Sequence, residues 1–330
     1  MKTLIKYLAI PALVAVAVPA GLAVAEQAPN PGTAGVEASQ DSENLAPSRF
    51  GGHVHALAVN PQTKELFLGA RPIYRSSDDG KSWAAIDGIP KSEERANITS
   101  IAIDPTDPQV MYATGHGVGV AKSTDGGATW DSASSGLGGM STEGFAIDGK
   151  DQNKLYVWVL GTGLYRSTDA GASWQRVDDG PKKQEIRSLV SVNGPTGMGG
   201  IWLYAGLDTG VMKSPDCFCG WDRLPNVGLP EGRIYSLAVD PSKPEVLYAG
   251  LRQGVFKTTD GGQSWSQATD LVEDAVVTVD AGDPEGFVAT ADLKRKGGRS
   301  EANYAARIAN CSARDGFGLK AYLACRLRIM

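Results

Sequence analysis

Histidine is scarce in this 330-residue chain, which has three, His53, His55 and His116. There are four cysteines, no Cys-X-X-Cys pair among them and no histidine beside any of them, which excludes a zinc site built on cysteine. Aromatic residues make up only 7% of the chain while glycine occurs 41 times, a balance that excludes a helical bundle and favours turn-rich β structure. No large basic block interrupts the body of the sequence and the net charge is −5, so the electrostatic footprint of a nucleic-acid binder is missing. The 42% of hydrophobic residues is enough for one sizeable core.

The N-terminus has an organisation of its own. Lys2 and Lys6 precede an uncharged run from Tyr7 to Ala25 that closes on small residues before Glu26, the pattern of a cleaved secretory signal over residues 1–25. An uncleaved anchor is the alternative, but Pro11, Pro19 and many alanines make a poor spanning helix. Residues 26–48 lack periodicity and large apolar groups and are expected to form a flexible lead-in. The expected location is therefore exported, periplasmic or secreted, without stable membrane insertion once the signal is removed.

What fills the rest is a repeat. An octet of the form Ser-X-Asp-X-Gly-X-Ser/Thr-Trp recurs five times, with aspartates Asp78, Asp125, Asp169, Asp216 and Asp260 spaced by 47, 44, 47 and 44 residues. Around each octet the same phrases return in order: an alternating run such as "YSLAVDP", a short apolar run such as "VLYAG", then "VFKT", the octet, and a last stretch opened by its tryptophan. Four short strands per unit at this period fit an all-β propeller blade, and six first strands are readable. The pattern predicts a β-propeller of about six four-stranded blades over residues 49–293. Residues 294–330 contain no Trp and carry nine Lys or Arg against two Asp or Glu. They are read as an atypical basic C-terminal tail that leaves the last blade irregular or incomplete.

The octet resembles the Asp-box, or BNR repeat, of sialidase-like propellers, sortilin-type receptors and photosystem II assembly-factor-like proteins. That resemblance covers residues 51–293 and implies the fold; these families include enzymes, receptors and assembly factors, so it implies no single chemistry. Within each octet the aspartate is expected to accept hydrogen bonds from its own turn. The glycine two residues later suits φ > 0. Trp83, Trp130, Trp174, Trp221 and Trp265 are expected to bury between blades. The fourth octet, "SPDCFCGW", breaks the pattern with Phe218 in the glycine position; a ring closed between Cys217 and Cys219 would be strained, and their pairing and that of Cys311 and Cys325 stay open.

Strand alternation then places the octets and the first-to-second turns on one face, and the first-strand entrances and second-to-third turns on the other. All three histidines map to the second face. One reading is packing and solvation. The sharper one is a ligand or divalent-metal pocket of His53, His55 and His116 completed by Glu143. Arg187, Arg233, Tyr235 and Arg252 share that face as ligand-binding candidates. The resemblance to sialidases implies an arginine triad and a tyrosine nucleophile, but the Phe-Arg-Ile-Pro motif is missing here. Arg75, Lys122, Arg166, Lys213 and Lys257 precede the octets at one strand position, either as a basic ring or as long side chains covering the blade flank.

The expected function is an exported Asp-box propeller acting as a protein- or ligand-binding, assembly-type module rather than an enzyme, with a protein, small molecule or glycan as partner. The alternative is a glycoside hydrolase of the sialidase-like class.

Overall fold

The computed structural model describes the chain from Val54 to Ile329, except residues 79, 81, 182–183, 195, 197–199, 270–275, 280–286, 293–305 and 313–323. His53, the signal segment 1–25 and the lead-in 26–48 lie outside the described residues. No helix occurs among the described residues.

Five blades follow the repeat. The first holds β1 (Ala56–Val59), β2 (Leu66–Gly69), β3 (Ile73–Ser76) and β4 (Ala84–Ile86); the second β5 (Asn97–Ile103), β6 (Met111–His116), β7 (Gly119–Ser123) and β8 (Asp131–Ser132). The third holds β9 (Thr142–Ile147), β10 (Leu155–Val159), β11 (Gly163–Ser167) and β12 (Gln175–Asp178); the fourth β13 (Ser188–Asn193), β14 (Ile201–Leu207), β15 (Gly210–Pro215) and β16 (Asp222–Arg223). The fifth holds β17 (Ser236–Asp240), β18 (Lys243–Leu251), β19 (Gly254–Thr258) and β20 (Ser266–Thr269). Each is a four-stranded antiparallel sheet in chain order. A sixth sheet of the same order closes the set with β21 (Val276–Val279), β22 (Phe287–Asp292), β23 (Ala306–Ser312) and β24 (Ala324–Ile329).

The first strands stand around a central axis, each against the next, and β21 meets β1 to close the ring. The architecture is an all-β propeller with an irregular last blade. Its backbone ladder runs on past residue 293: β22 pairs with β23 and β23 with β24, so two strands come from the basic segment 294–330. The stretch "ACRLRI" alternates in the period-2 manner of a strand, and ladder formation needs no octet.

The octets show how blades are joined. In the second, the Ser123 hydroxyl donates to Asp125 Oδ1 (2.8 Å) and accepts from Gly127 N–H (2.9 Å). Thr129 then donates its N–H to Oδ1 and its hydroxyl to Oδ2 of the same carboxylate (2.9 and 2.6 Å). The first, third and fifth octets repeat this pattern around Asp78, Asp169 and Asp260. The matching glycines, Gly80, Gly127, Gly171 and Gly262, have φ between +80° and +89°, where an L side chain is strained. Trp83, Trp130, Trp174 and Trp265 are buried as expected, and Trp221 is partly so.

The fourth octet keeps the left-handed backbone, with Phe218 at φ +53°, but not the hydrogen bonds. Ser214 donates instead to the Pro215 carbonyl (3.1 Å), and Trp221 Nε1 reaches back to Asp178 of the third blade (2.9 Å). Cys217 and Cys219 are joined by a disulfide.

Octets also dock onto the preceding blade. The Tyr112 hydroxyl and Lys122 Nζ of the second blade both donate to the Ala170 carbonyl in the third octet (3.1 and 3.0 Å). Tyr204 does the same to Gly261 in the fifth (3.3 Å), and the Phe218 ring meets Tyr156 edge-on at 5.9 Å. The row of cations before the octets belongs to this packing. Each sits across the ladder from an aromatic, as in Phe67 opposite Arg75 and Tyr248 opposite Lys257, and the charged groups of Arg75, Lys122, Lys213 and Lys257 lie 4.4–6.0 Å from an aromatic ring centroid, that of Lys213 over Trp202. These stacked stems cover the blade flanks.

A second repeat occupies the first-to-second turns, on the octet face. Asn60, Asp104, Asp148 and Asp240 are buried, and each accepts two N–H bonds from its own turn. Between inner strands, hydroxyls bridge neighbouring blades: Leu237 N–H donates to Ser188 Oγ (2.8 Å) and Val277 N–H to Ser236 Oγ (2.7 Å).

Two outcomes follow for stability. Hydrogen bonds, led by those from Thr129, Ser173 and Ser264, hold the carboxyls of Asp125, Asp169 and Asp260 down from 3.8 to about 2. A depressed folded-state value stabilises fully above the unfolded value and is lost as pH falls through the folded one, so the melting temperature should drop between pH 3.8 and about 2. The triple Asp→Asn variant should flatten that limb in a calorimetric pH series. Ser123→Ala, which strips a buried hydroxyl from two partners, should cost about 1 to 3 kcal/mol in urea denaturation.

Candidate functional site at the channel mouth

The six inner strands enclose an axial channel of about 540 Å³. Its wall mixes apolar and polar residues from successive blades, Leu57, Ile101, Phe145 and Leu237 standing beside Ser100, Ser191, Asn193 and Thr278. His55, Arg187 and Tyr235 line it where the first strands begin, on the face away from the octets.

Outside that rim lies the densest cluster of charge in the described structure, centred on Glu143. Glu143 is the second residue of β9, and its side chain is only 5% exposed. A bridge between His116 and Ser141 carries the end of β6 onto the entrance of the third blade. It places His116 Nε2 3.2 Å from Glu143 Oε1. Arg187, immediately before β13, donates from Nη1 to both carboxylate oxygens (3.2 and 3.0 Å). It turns its remaining edge to Asp208 in the β14–β15 turn, with Nε–Oδ1 at 3.2 Å and Nη2–Oδ2 at 3.0 Å. Arg233, just before β17, brings Nη2 to 3.5 Å from Glu143 and its guanidinium carbon to 5.7 Å from the Tyr235 ring centre.

Burial alone pushes the Glu143 carboxyl up. The hydrogen bonds from His116 and Arg187 and the charges of Arg187 and Arg233 outweigh it and hold the group below the usual glutamate value. Arg187 is raised in turn, chiefly by its bonds to Asp208, which with Glu143 overcome the opposing effect of its own burial. The carboxylate is thus ionised and locked, and a guanidinium 19% exposed bridges it to a second carboxylate in solvent.

Of the residues that the sequence places on this face, His116, Glu143, Arg187 and Arg233 come together, and Tyr235 joins them through Arg233. His55 lines the channel, and Arg252 is an exposed residue of the β18–β19 turn outside the cluster. His53 is outside the described residues. Among the described residues no group of three or more His, Cys, Asp or Glu side chains is arranged to hold a metal ion. Glu143 could complete a metal set with the histidines only by giving up its arginines, whose charges oppose a cation. Asp208 was not among the residues singled out from sequence. It occupies the same second-to-third turn as His116 does two blades earlier, and that shared position was the available signal.

No protein-family model matches the chain, and no curated protein is a detectable relative. Among solved structures it is similar to U3-55K, with a TM-score of 0.52 and 12% identity over 79% of this chain and 78% of that one. It is similar also to a GH74 enzyme of Niastella koreensis (TM-score 0.47, 18% identity, 80% of this chain and 45% of that). A third is YCF48 from Cyanidioschyzon merolae (TM-score 0.47, 15% identity, 74% and 75%). The chain spans less than half the length of the GH74 enzyme. At these identities the likeness is one of fold.

Removing Glu143 leaves two arginines facing each other with no shared anion. Because Arg187 keeps Asp208 and Arg233 is 44% exposed, the cost is less than that of a fully buried pair. Glu143→Ala should lose about 1 to 3 kcal/mol in chemical denaturation, and Arg233→Ala no more than about 1.

Proposed function

We propose that this chain is an exported binding propeller built on Asp-box repeats, which takes a protein or small ligand on the face around the channel mouth and does not hydrolyse glycosides. The octet hydrogen bonds support the Asp-box reading. The carboxylates spent in them are the ones a catalytic reading would first nominate.

The observation that carries the binding reading is the state of Glu143. Glycoside hydrolysis uses two carboxyl groups, one of them kept protonated as the acid. Glu143 is held ionised by His116 and Arg187, and a second carboxylate, Asp208, is engaged by the same guanidinium. Glu143 is not poised to give a proton. Tyr235 and the half-exposed Arg233 instead present a stacked aromatic and a guanidinium beside the channel mouth, the side-chain types that dominate binding hot spots. A cavity of this size falls within the range that takes small molecules, and the rim suits a polypeptide.

The test pairs capture with turnover. The purified chain, immobilised, is offered the exported fraction of its source, with Arg233→Glu and Tyr235→Ala as controls, and the same preparations are assayed on a panel of aryl glycosides and sialosides. The expected result is a partner whose affinity falls by about tenfold or more in both variants, with no sugar released. Sugar release that disappears in Glu143→Gln would replace this reading with hydrolysis.

A further inference from the structure

The fourth octet differs from the other four in chemistry as well as shape, because it contains a disulfide. The Cα atoms of Cys217 and Cys219 are 5.3 Å apart, inside the range that a disulfide spans. A bridge between residues separated by two positions closes a very small loop, so it removes little conformational entropy from the unfolded chain. Nor is it needed to hold the joint together. The turn is already pinned by Phe218 N–H on the Pro215 carbonyl (3.0 Å), by Trp221 Nε1 on Asp178 (2.9 Å), and by the Phe218 ring against Tyr156 (5.9 Å).

The bridge also reaches the surface of the blade. Cys219 is exposed and Cys217 half-buried. A side-chain carbon added at Gly220 would meet nothing within 4 Å, so the approach beside Cys219 is open. A disulfide that staples little and offers one sulfur to solvent belongs with the exchangeable kind rather than the structural kind.

We propose that Cys217–Cys219 is a thiol–disulfide exchange site whose substrates are paired thiols, on a small dithiol or on another polypeptide. A substrate thiolate attacks Sγ of Cys219, the accessible sulfur. The new sulfur–sulfur bond forms as the Cys217–Cys219 bond breaks, and the electron pair leaves on Cys217, which takes up a proton. The second substrate thiolate then attacks its own partner sulfur in the mixed disulfide and releases Cys219, which is protonated in turn. The substrate is oxidised by two electrons to a disulfide, and the chain gains two thiols. A low-molecular-weight disulfide returns it to the oxidised form by the reverse path.

The experiment uses the full chain with Cys311→Ser and Cys325→Ser, equilibrated in mixtures of reduced and oxidised glutathione, quenched with an alkylating agent without denaturant and read by peptide mass spectrometry. Near-UV circular dichroism is followed in parallel. If the double substitution fails to fold, peptide-resolved labelling of the wild-type chain reads Cys217 and Cys219 separately from Cys311 and Cys325. The expected result is joint loss of the Cys217–Cys219 bond as the mixture becomes more reducing, with the circular dichroism unchanged. Cys217→Ser should trap a glutathione adduct on Cys219. Three results would overturn the proposal: resistance of the bond to glutathione until the fold is lost, collapse of the near-UV signal in step with labelling, or full labelling even in oxidised glutathione.

Discussion

A four-stranded sheet with two apolar faces and a bare inner edge cannot stand alone in water, and the whole architecture answers that constraint by putting a neighbour on each side. Apolar residues such as Phe67, Tyr112, Leu155, Leu203 and Leu247 are buried on the second strands because the next blade covers them. The octet makes that contact repeatable. Its serine and aspartate fold the turn, its glycine allows the left-handed backbone, and the freed carbonyl accepts bonds from the blade before, as Ala170 does from Tyr112 and Lys122. The inner edge is met differently, by hydroxyls such as Ser188 and Ser236 lending their oxygens to the next blade's N–H groups.

Once the blades are fixed in this way, the two faces of the ring diverge in chemistry. On the octet face short acidic side chains are consumed by local turns, both at the octets and at Asp104, Asp148 and Asp240. Among the described residues the opposite face shows no such repeat of acidic side chains bound into their own turns, and the strand entrances there can carry side chains that answer to one another across blades. Glu143, Arg187 and Arg233 come from three successive blades, and His116 from the blade before them. Such a cluster is assembled by the packing of consecutive blades, the second to the fifth, and any change in the angle between them would pull it apart. This ties the site to the joints although the two lie at opposite ends of the strands.

Much of this was legible in the sequence wherever one residue's role was local. The octet spacing specified blades and turns, and strand alternation alone put His116, Glu143, Arg187 and Arg233 on one face. What could not be read was pairing. Nothing in one dimension says that Arg187 would bridge Glu143 and Asp208, or that His116 would turn to a carboxylate and not to His55. The sixth blade was cut short at residue 293 because its octet and tryptophan are missing, whereas β23 and β24 rest on backbone ladders that any alternating segment can form. The fourth octet was recognised as different, but that Phe218 keeps the glycine's left-handed conformation and packs on Tyr156 is a tertiary result.

A binding role for this face depends on Glu143 staying ionised under its two arginines and histidine, because a carboxyl that could hold a proton in this position would be a candidate acid. The direct measurement is the titration of the Glu143 side-chain carboxyl by carbon-detected NMR in the intact chain, assigned with Glu143→Gln. The expected result is an apparent value below that of an ordinary glutamate, moving upward when Arg187 is replaced. A value raised toward neutrality would contradict the locked carboxylate and return the site to catalysis.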